Sequence, residues 1–314
     1  MIRAFLRSAK VDGAPAPYDT LTLKVYYPAA FGDTPDERNT GAIPADTTHA
    51  PFPVIIFFPG VNVDIASYVW LAIELAKRNN VVVLFSWIAE DFPGSVSLTP
   101  GMDLNFIKPD TYGTGPSANA LPAILDEVQR LNQSGLLAGS LDLNRIFLGG
   151  HSAGGTMALL NANRQWFPQV QGAFTYGAHS GASTMLGFPP GTVLPLHDCP
   201  TLIMGGTRDG VIESSSHRYA LDGNVTPTLL LERTFQEGAK KDSTLVIFEG
   251  ANHFLAAHPH DDTTGRGFLE QASAGSEADA KSRHLMVEFI DAFIRGQSLN
   301  ELSNDPLIAK FETK

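Results

Sequence analysis

Apolar residues follow two alternating rhythms along the chain. Short runs rich in Val, Ile and Phe recur at residues 54–58, 81–85, 145–148, 172–176, 201–204 and 244–248. A run without polar alternation is what a strand buried on both faces of a parallel sheet requires. Residues 20–27 (TLTLKVYY) instead alternate polar with apolar, as a strand with one wet face does, and predict an antiparallel edge formed with the first residues of the chain. Between the runs the spacing lengthens to that of helices. Leu121, Ile124, Leu125, Val128 and Leu131 place one apolar stripe on a helix over 117–133, with Ser117 as its N-cap. Trp70, Leu71, Ile73, Leu75 and Ala76 predict another after the third strand, and Leu285, Phe289, Ile290 and Phe293 a last one ending before Gly296. Strands alternating with helices imply right-handed crossovers and one mostly parallel sheet of about eight strands, helices on both faces. The expected organisation is a single α/β domain over 1–314.

Three stretches break the alternation: 34–51, 87–116 and 179–198, all rich in Gly, Pro, Ser, Thr or Asp. Long irregular segments in a compact domain are usually functional or disordered. The latter two follow predicted strand ends, where open α/β sheets place their ligand crevice, and are expected as loop or cap insertions. Trp87, Phe92, Phe106, Met185, Leu186 and Phe188 are the apolar residues available to wall a substrate cleft there, with packing on the domain as the plain alternative.

Composition narrows the function classes. With 43% apolar and 18% charged residues the chain has material for a sizeable core, and its formal charge of -11 would repel a phosphate backbone, so nucleic acid is a poor partner. The single cysteine, Cys199, excludes an intrachain disulfide and fits a reducing compartment. The first residues, MIRAFLR, run into Ser8, Lys10 and Asp12 in place of a secretory apolar core. The longest nearly apolar stretch, 52–61, is far shorter than the roughly 20 residues of a membrane helix. A cytoplasmic location without a membrane span is therefore expected, and oligomeric state is left open.

The chemistry gathers at strand ends. Residues 145–148 run into Gly149-Gly150-His151-Ser152-Ala153-Gly154-Gly155, and 156–160 continue as a helix. That is GxSxG between a strand and a helix, the pattern that holds a serine hydroxyl on a strained, sharp turn. The helix that follows directs free N–H groups at any oxyanion formed beside Ser152. A nucleophilic serine needs a base, and on such sheets the chain order is Ser, then Asp or Glu, then His. Residues 201–204 lead into Gly205-Gly206-Thr207-Arg208-Asp209, and 244–248 into Glu249-Gly250-Ala251-Asn252-His253. Asp209 and His253 are the expected acid and base. Glu213 and Asp198 are alternative acids less well placed relative to a strand end, and each residue alone has a structural alternative, such as a turn aspartate capping its own backbone. His151 is expected to point away from the nucleophile as a structural residue. The cluster His258-Pro259-His260-Asp261-Asp262 is read as a solvated loop, with no metal site. The expected oxyanion donors are the amides of Ala153, after the nucleophile, and Val61, in the loop Phe58-Pro59-Gly60-Val61-Asn62-Val63. Asn62 could add a side-chain contact to substrate, or serve the turn.

Together these residues resemble the α/β-hydrolase superfamily over nearly the whole chain. PFPVIIFFPG, GGHSAGG, MGGTRDG and EGANHF are similar to the branch containing dienelactone hydrolases, chlorophyllases, platelet-activating-factor acetylhydrolases and bacterial polyester hydrolases. Two departures matter. Those proteins often carry His-Gly where this chain has Pro59-Gly60, and dienelactone hydrolases use a cysteine where this chain has Ser152. The glycine-rich HGGG of hormone-sensitive-lipase relatives is absent. The resemblance implies an α/β-hydrolase fold and a serine esterase acting on a small-molecule carboxylic ester through an acyl-enzyme, with no cofactor. The alternatives it leaves are a thioesterase, lactonase or peptidase using the same three residues, or a non-catalytic ligand-binding protein on the same scaffold.

Overall fold

The computed structural model describes residues 1–92, 94–219, 221 and 225–314, with only the backbone of Asp91 and Phe92. The expected role of the Phe92 side chain therefore lies outside the described residues. The chain opens with a hairpin of β1 (Ile2–Lys10) and β2 (Thr20–Pro28), then forms α1 (Pro35–Thr40), β3 (Phe52–Phe58), α2 (Val69–Lys77) and β4 (Val81–Ser86). A small hairpin, β5 (Ile88–Phe92) and β6 (Ser95–Leu98), precedes α3 (Ala120–Gln133), β7 (Leu141–His151), α4 (Ala153–Asn161) and β8 (Val170–Tyr176). Then come β9 (Thr201–Gly206), α5 (Gly210–Ser215), α6 (Leu229–Arg233), β10 (Thr244–Phe248), α7 (Ser276–Arg295) and β11 (Ile308–Thr313).

Nine strands form one sheet in the order β1-β2-β4-β3-β7-β8-β9-β10-β11. The six from β4 to β10 run parallel, with β1 and β2 antiparallel on one edge and β11 antiparallel on the other. Strand β3 connects outward to β4, whereas β7, its other neighbour, continues toward β8. The direction of winding reverses between β3 and β7, and the connections leaving their carboxyl ends diverge to open a crevice.

Burial on both sides of the sheet explains the uninterrupted runs. Along β3, Val54, Ile56 and Phe58 face a core layer shared with α3 and α4, while Ile55 and Phe57 face a second layer shared with α2 and α7. Alternate residues of a strand point to opposite faces, so a strand covered on both sides must be apolar throughout. The stripe on α3 packs as its spacing predicts, with Leu121, Ile124, Val128 and Leu131 all buried. Gly296, in the left-handed conformation, closes α7.

Three differences from the sequence reading have physical causes. Ser117 does not cap α3, whose N-cap position is Asn119; Ser117 is buried, its N–H donating to Asn161 Oδ1 (2.8 Å) and its Oγ accepting from Asn161 Nδ2 (3.0 Å). The ninth strand, β11, was not anticipated because a short, half-wet edge segment carries too few apolar residues to stand out. The segments read as irregular contain local structure. Residues 34–51 hold α1, started by a capping box between Thr34 and Glu37, and 87–116 hold the β5–β6 hairpin. Among the described residues no helix is long and apolar enough to cross a membrane.

Phe289 on α7 is fully buried, its ring meeting Phe248 of β10 edge-on at 6.2 Å and lying 6.3 Å from Phe311 of β11. Phe289→Ala is expected to lower stability by about 3–5 kcal/mol. Urea titration measures this; a loss below about 1 kcal/mol would mean the site collapses around the missing ring.

Candidate functional site

Strand β7 ends at His151 and helix α4 begins at Ala153, leaving Ser152 alone at the junction with φ 55° and ψ -129°. Few residues other than glycine hold a positive φ, so this backbone persists only where its surroundings enforce it. The Ser152 N–H donates to the Tyr176 carbonyl at the end of β8 (3.0 Å), and its own carbonyl accepts from Thr156 N–H (3.0 Å). The flanking glycines permit the turn. A Cβ on Gly150 would lie 2.5 Å from the Gly154 carbonyl oxygen, and one on Gly154 would lie 2.3 Å from the carbonyl oxygens of Phe58 and Pro59. No side chain fits at either place, and the start of α4 therefore rests directly on the end of β3.

That contact sets the chain after β3 beside the first turn of α4. Gly60 C=O accepts from Val63 N–H (3.2 Å), closing a tight turn in which Asn62 has φ 56°. Asn tolerates that conformation better than most residues. Asn62 also ties the turn to the β5–β6 hairpin, donating its N–H to Leu98 O (2.9 Å) and accepting Leu98 N–H at Oδ1 (3.1 Å). Among the described residues, the amides of Val61 and Ala153 have no hydrogen-bond partner.

The carboxylate and imidazole come from the next strand ends. Asp209 is the N-cap of α5: Oδ1 accepts Ile212 N–H (2.8 Å), and Oδ2 lies 2.8 Å from His253 Nδ1. Both side chains are buried, at 1% and 2% exposure. A carboxylate can only accept, so the proton of this bond sits on Nδ1 and the neutral ring keeps its Nε2 lone pair. Burial by itself would depress the His253 pKa, but the charge and hydrogen bond of Asp209, with Glu270 adding to them, hold it above its ordinary value. The pair packs over Gly177, where a Cβ would lie 2.8 Å from His253 Nδ1 and 3.1 Å from Asp209 Oδ2. Gly177 follows Tyr176, whose carbonyl holds Ser152, so one short segment serves all three residues. Among the described residues no hydrogen bond joins the Ser152 hydroxyl to the His253 ring; such bonds often tighten only when substrate is present. The alternative acids lie elsewhere: Glu213 accepts from Gln271 Nε2 (2.6 Å), and Asp198 from Arg164 N–H (3.3 Å).

His151 is buried and bridges two of these loops. Its Nε2 lies 2.9 Å from the His253 carbonyl, an acceptor, so Nε2 carries the proton. Burial, and then the nearby His253, push its pKa well below the ordinary imidazole value, so the ring is neutral and Nδ1 accepts from the Tyr68 hydroxyl (2.9 Å). Tyr68 O in turn accepts Gly60 N–H (3.0 Å). A single chain of hydrogen bonds thus runs from the turn after β3, through the residue before Ser152, to the backbone of His253. Sequence reading missed Tyr68 because no motif surrounds it. It also missed His179, which is buried, accepts Gly181 N–H at Nδ1 (3.0 Å) and has its pKa lowered to about 4 by burial and by His253.

The expected cleft walls fare unevenly. Trp87 is only 3% exposed and donates Nε1–H to Tyr18 O (2.9 Å), and Phe188 is buried in the same core layer, so both are packed inside the domain and do not present an open wall. Met185 is 85% exposed and Val61 41%. His260 Nε2 lies 3.4 Å from Asp262 on an exposed loop, and among the described residues no three His, Cys, Asp or Glu side chains are grouped to hold a metal ion.

No family model matches the chain, and no curated protein matches it in sequence. Solved structures do, in 902 chains, a breadth that speaks of a widely shared scaffold. A ferulic acid esterase from Streptomyces cinnamoneus is similar with a TM-score of 0.55 at 17% identity, the match covering 98% of this chain and 93% of that one. The chain has the α/β-hydrolase fold. At this identity the likeness concerns the fold, and chemistry has to be argued from the site.

Tyr68→Phe removes both the acceptor for Gly60 N–H and the donor to His151, leaving two buried polar groups unpaired. The expected loss is about 1–3 kcal/mol for each group, read as a lower midpoint in chemical denaturation. Unchanged stability would show that the chain of bonds carries no net energy.

Proposed function

We propose that this protein is a serine hydrolase cleaving carboxylic esters through an acyl-enzyme, with Ser152 as nucleophile, His253 as base and Asp209 as the group that orients it. The observation that carries the reading is the strained backbone of Ser152, taken together with a buried Asp209–His253 pair whose imidazole keeps its Nε2 lone pair. A serine is held this way, at a cost in backbone energy, where its hydroxyl must stand clear of the chain.

In this reading Ser152 Oγ attacks the ester carbonyl carbon while His253 Nε2 takes the hydroxyl proton. Asp209 stabilises the resulting imidazolium without itself taking a proton. The carbonyl oxygen gains the negative charge and is met by the amides of Val61 and Ala153, both unpartnered among the described residues. When the tetrahedral intermediate collapses, the bond to the alcohol oxygen breaks and His253 gives that oxygen its proton. Water, deprotonated by the same imidazole, then attacks the acyl-enzyme, and the acid leaves as Ser152 regains its proton. The fold shared with a ferulic acid esterase supports carboxylic esters as the first class to test, hydroxycinnamate esters among them.

A fluorophosphonate probe is expected to label the protein stoichiometrically and to lose that labelling in Ser152→Ala. A folded wild-type protein that neither labels nor turns over p-nitrophenyl or hydroxycinnamate esters would sink the proposal and favour a ligand-binding role. Asp209→Asn should reduce kcat on the order of 10⁴-fold with the fold intact, because the imidazole loses its oriented tautomer. The base works only when neutral, and its pKa is raised above 6.5. The kcat/KM profile should therefore fall as pH drops through a midpoint above that value; a midpoint below it would mean another group controls the rate.

A further inference from the structure

Resting on the reading of Asp209 and His253 as acid and base, we propose that Glu270 is a positioning residue that clamps the two loops carrying them. Its side chain bonds to the residue immediately after each. Oε1 accepts Gly210 N–H (3.1 Å), directly after Asp209, and Oε2 accepts Phe254 N–H (3.3 Å), directly after His253. Oε1 also accepts Gln271 N–H (2.8 Å), which holds the carboxylate to its own backbone. Before the acid and base the two loops are joined directly, Arg208 N–H donating to Ala251 O (2.9 Å) and Gly250 N–H to Thr207 Oγ1 (2.8 Å), and Asp209 and His253 themselves meet through one side-chain bond. Glu270 supplies the crosslink on the far side, between the residues that follow the acid and the base.

Glu270 begins a strap, residues 270–274, that lies across both loops. Arg208, one residue before Asp209, donates to the carbonyls of Ala272 (3.1 Å) and Ser273 (3.4 Å). Asn252, one residue before His253, donates Nδ2–H to Gln271 O (3.1 Å), and Ala274 N–H donates to Gly250 O (2.9 Å). The acid and base are thus each flanked, on both sides in sequence, by residues bonded to this strap. Its sequence, Glu-Gln-Ala-Ser-Ala, carries no motif, and its partners come from segments 16 to 65 residues away.

The carboxylate also acts through charge. Burial and the neighbouring Asp209 raise the Glu270 pKa, while His253 and the backbone donors favour the ionised form. In return, Glu270 helps hold the His253 imidazole above its ordinary pKa. The other groups that face His253 are Asp209, which raises its pKa, Arg266, which lowers it, and the neutral rings of His151 and His179.

Glu270→Gln is nearly isosteric but turns one accepting oxygen into an NH2 that faces an N–H. The expected result is a fall in kcat on the order of 10- to 100-fold, the scale of a small misplacement of catalytic groups, with KM little changed. The acid limb of the pH profile should move to lower pH, because a negative charge near His253 is gone. Glu277→Gln, which neutralises an exposed carboxylate on α7, should do neither. The downfield proton resonance of the His253 Nδ1–H bond, identified by its absence in His253→Ala, should shift or broaden in Glu270→Gln. Wild-type kcat, pH limb and resonance in a folded Glu270→Gln protein would overturn the clamp. Should that variant fail to fold, Arg208→Met unties the strap from its other end and keeps the carboxylate. It should lower kcat and perturb the resonance without moving the pH limb, and wild-type behaviour there overturns the clamp equally. Absence of Ser152 labelling and ester turnover in the wild type would defeat the functional reading alone, because the resonance reports the clamp without catalysis.

Discussion

The contact on which the rest of the structure depends is the seat of α4 on the end of β3. Gly154 lies so close to the carbonyls of Phe58 and Pro59 that even one methyl group would be expelled. This approach forces the left-handed backbone of Ser152, because β7 must reverse into α4 within one residue. It also sets the chain that leads into the turn at Val61 against the first turn of α4. One steric constraint therefore shapes the serine backbone and the path of the chain after β3, and it falls where the winding of the sheet reverses between β3 and β7. Strain at Ser152 is tolerable because the surrounding sheet, buried on both faces, cannot relax to relieve it.

Electrostatics do the second part of the work. A carboxylate at 1% exposure is costly unless its lone pairs are engaged, and Asp209 meets that demand with the α5 backbone on one oxygen and His253 on the other. The three buried imidazoles near it are held in different states by their surroundings. His253 is drawn toward protonation by two carboxylates, whereas His151 and His179, without an anion beside them, are kept neutral by burial and by repulsion from His253. That division gives the neutral rings tasks their charge allows: His151 accepts one hydrogen bond and donates another within the frame, and His179 accepts one.

Around this rigid centre the walls are built from irregular segments, and their packing does not follow residue type. Trp87 and Phe188 are drawn into the core, while Met185 and Val61 stay out. The β5–β6 hairpin is fastened to the turn after β3 through Asn62, so the segment over 87–116 is coupled to the backbone that carries the Val61 amide. The path of that segment is thereby linked to the turn after β3.

The sequence by itself determined the fold class, because strands buried on both faces must be continuously apolar and helices covering them must show a stripe; among the described residues, eight of the nine strands of the main sheet and the helices α2, α3 and α7 follow from those two rhythms. It also singled out Ser152, Asp209 and His253 as candidates at strand ends, and the structure brings Asp209 and His253 into contact. Local signals failed where partners are distant in sequence. Ser117 has the look of an N-cap, but Asn161 claims it; that Trp87 is buried and bonded to Tyr18 is likewise set by a distant partner. Tyr68 and Glu270 have no local pattern, because each acts through single hydrogen bonds to backbone groups brought near only by the crossing of loops. Such contacts depend on distances across the sheet, which periodicity along one chain does not encode, and only the tertiary structure could decide them.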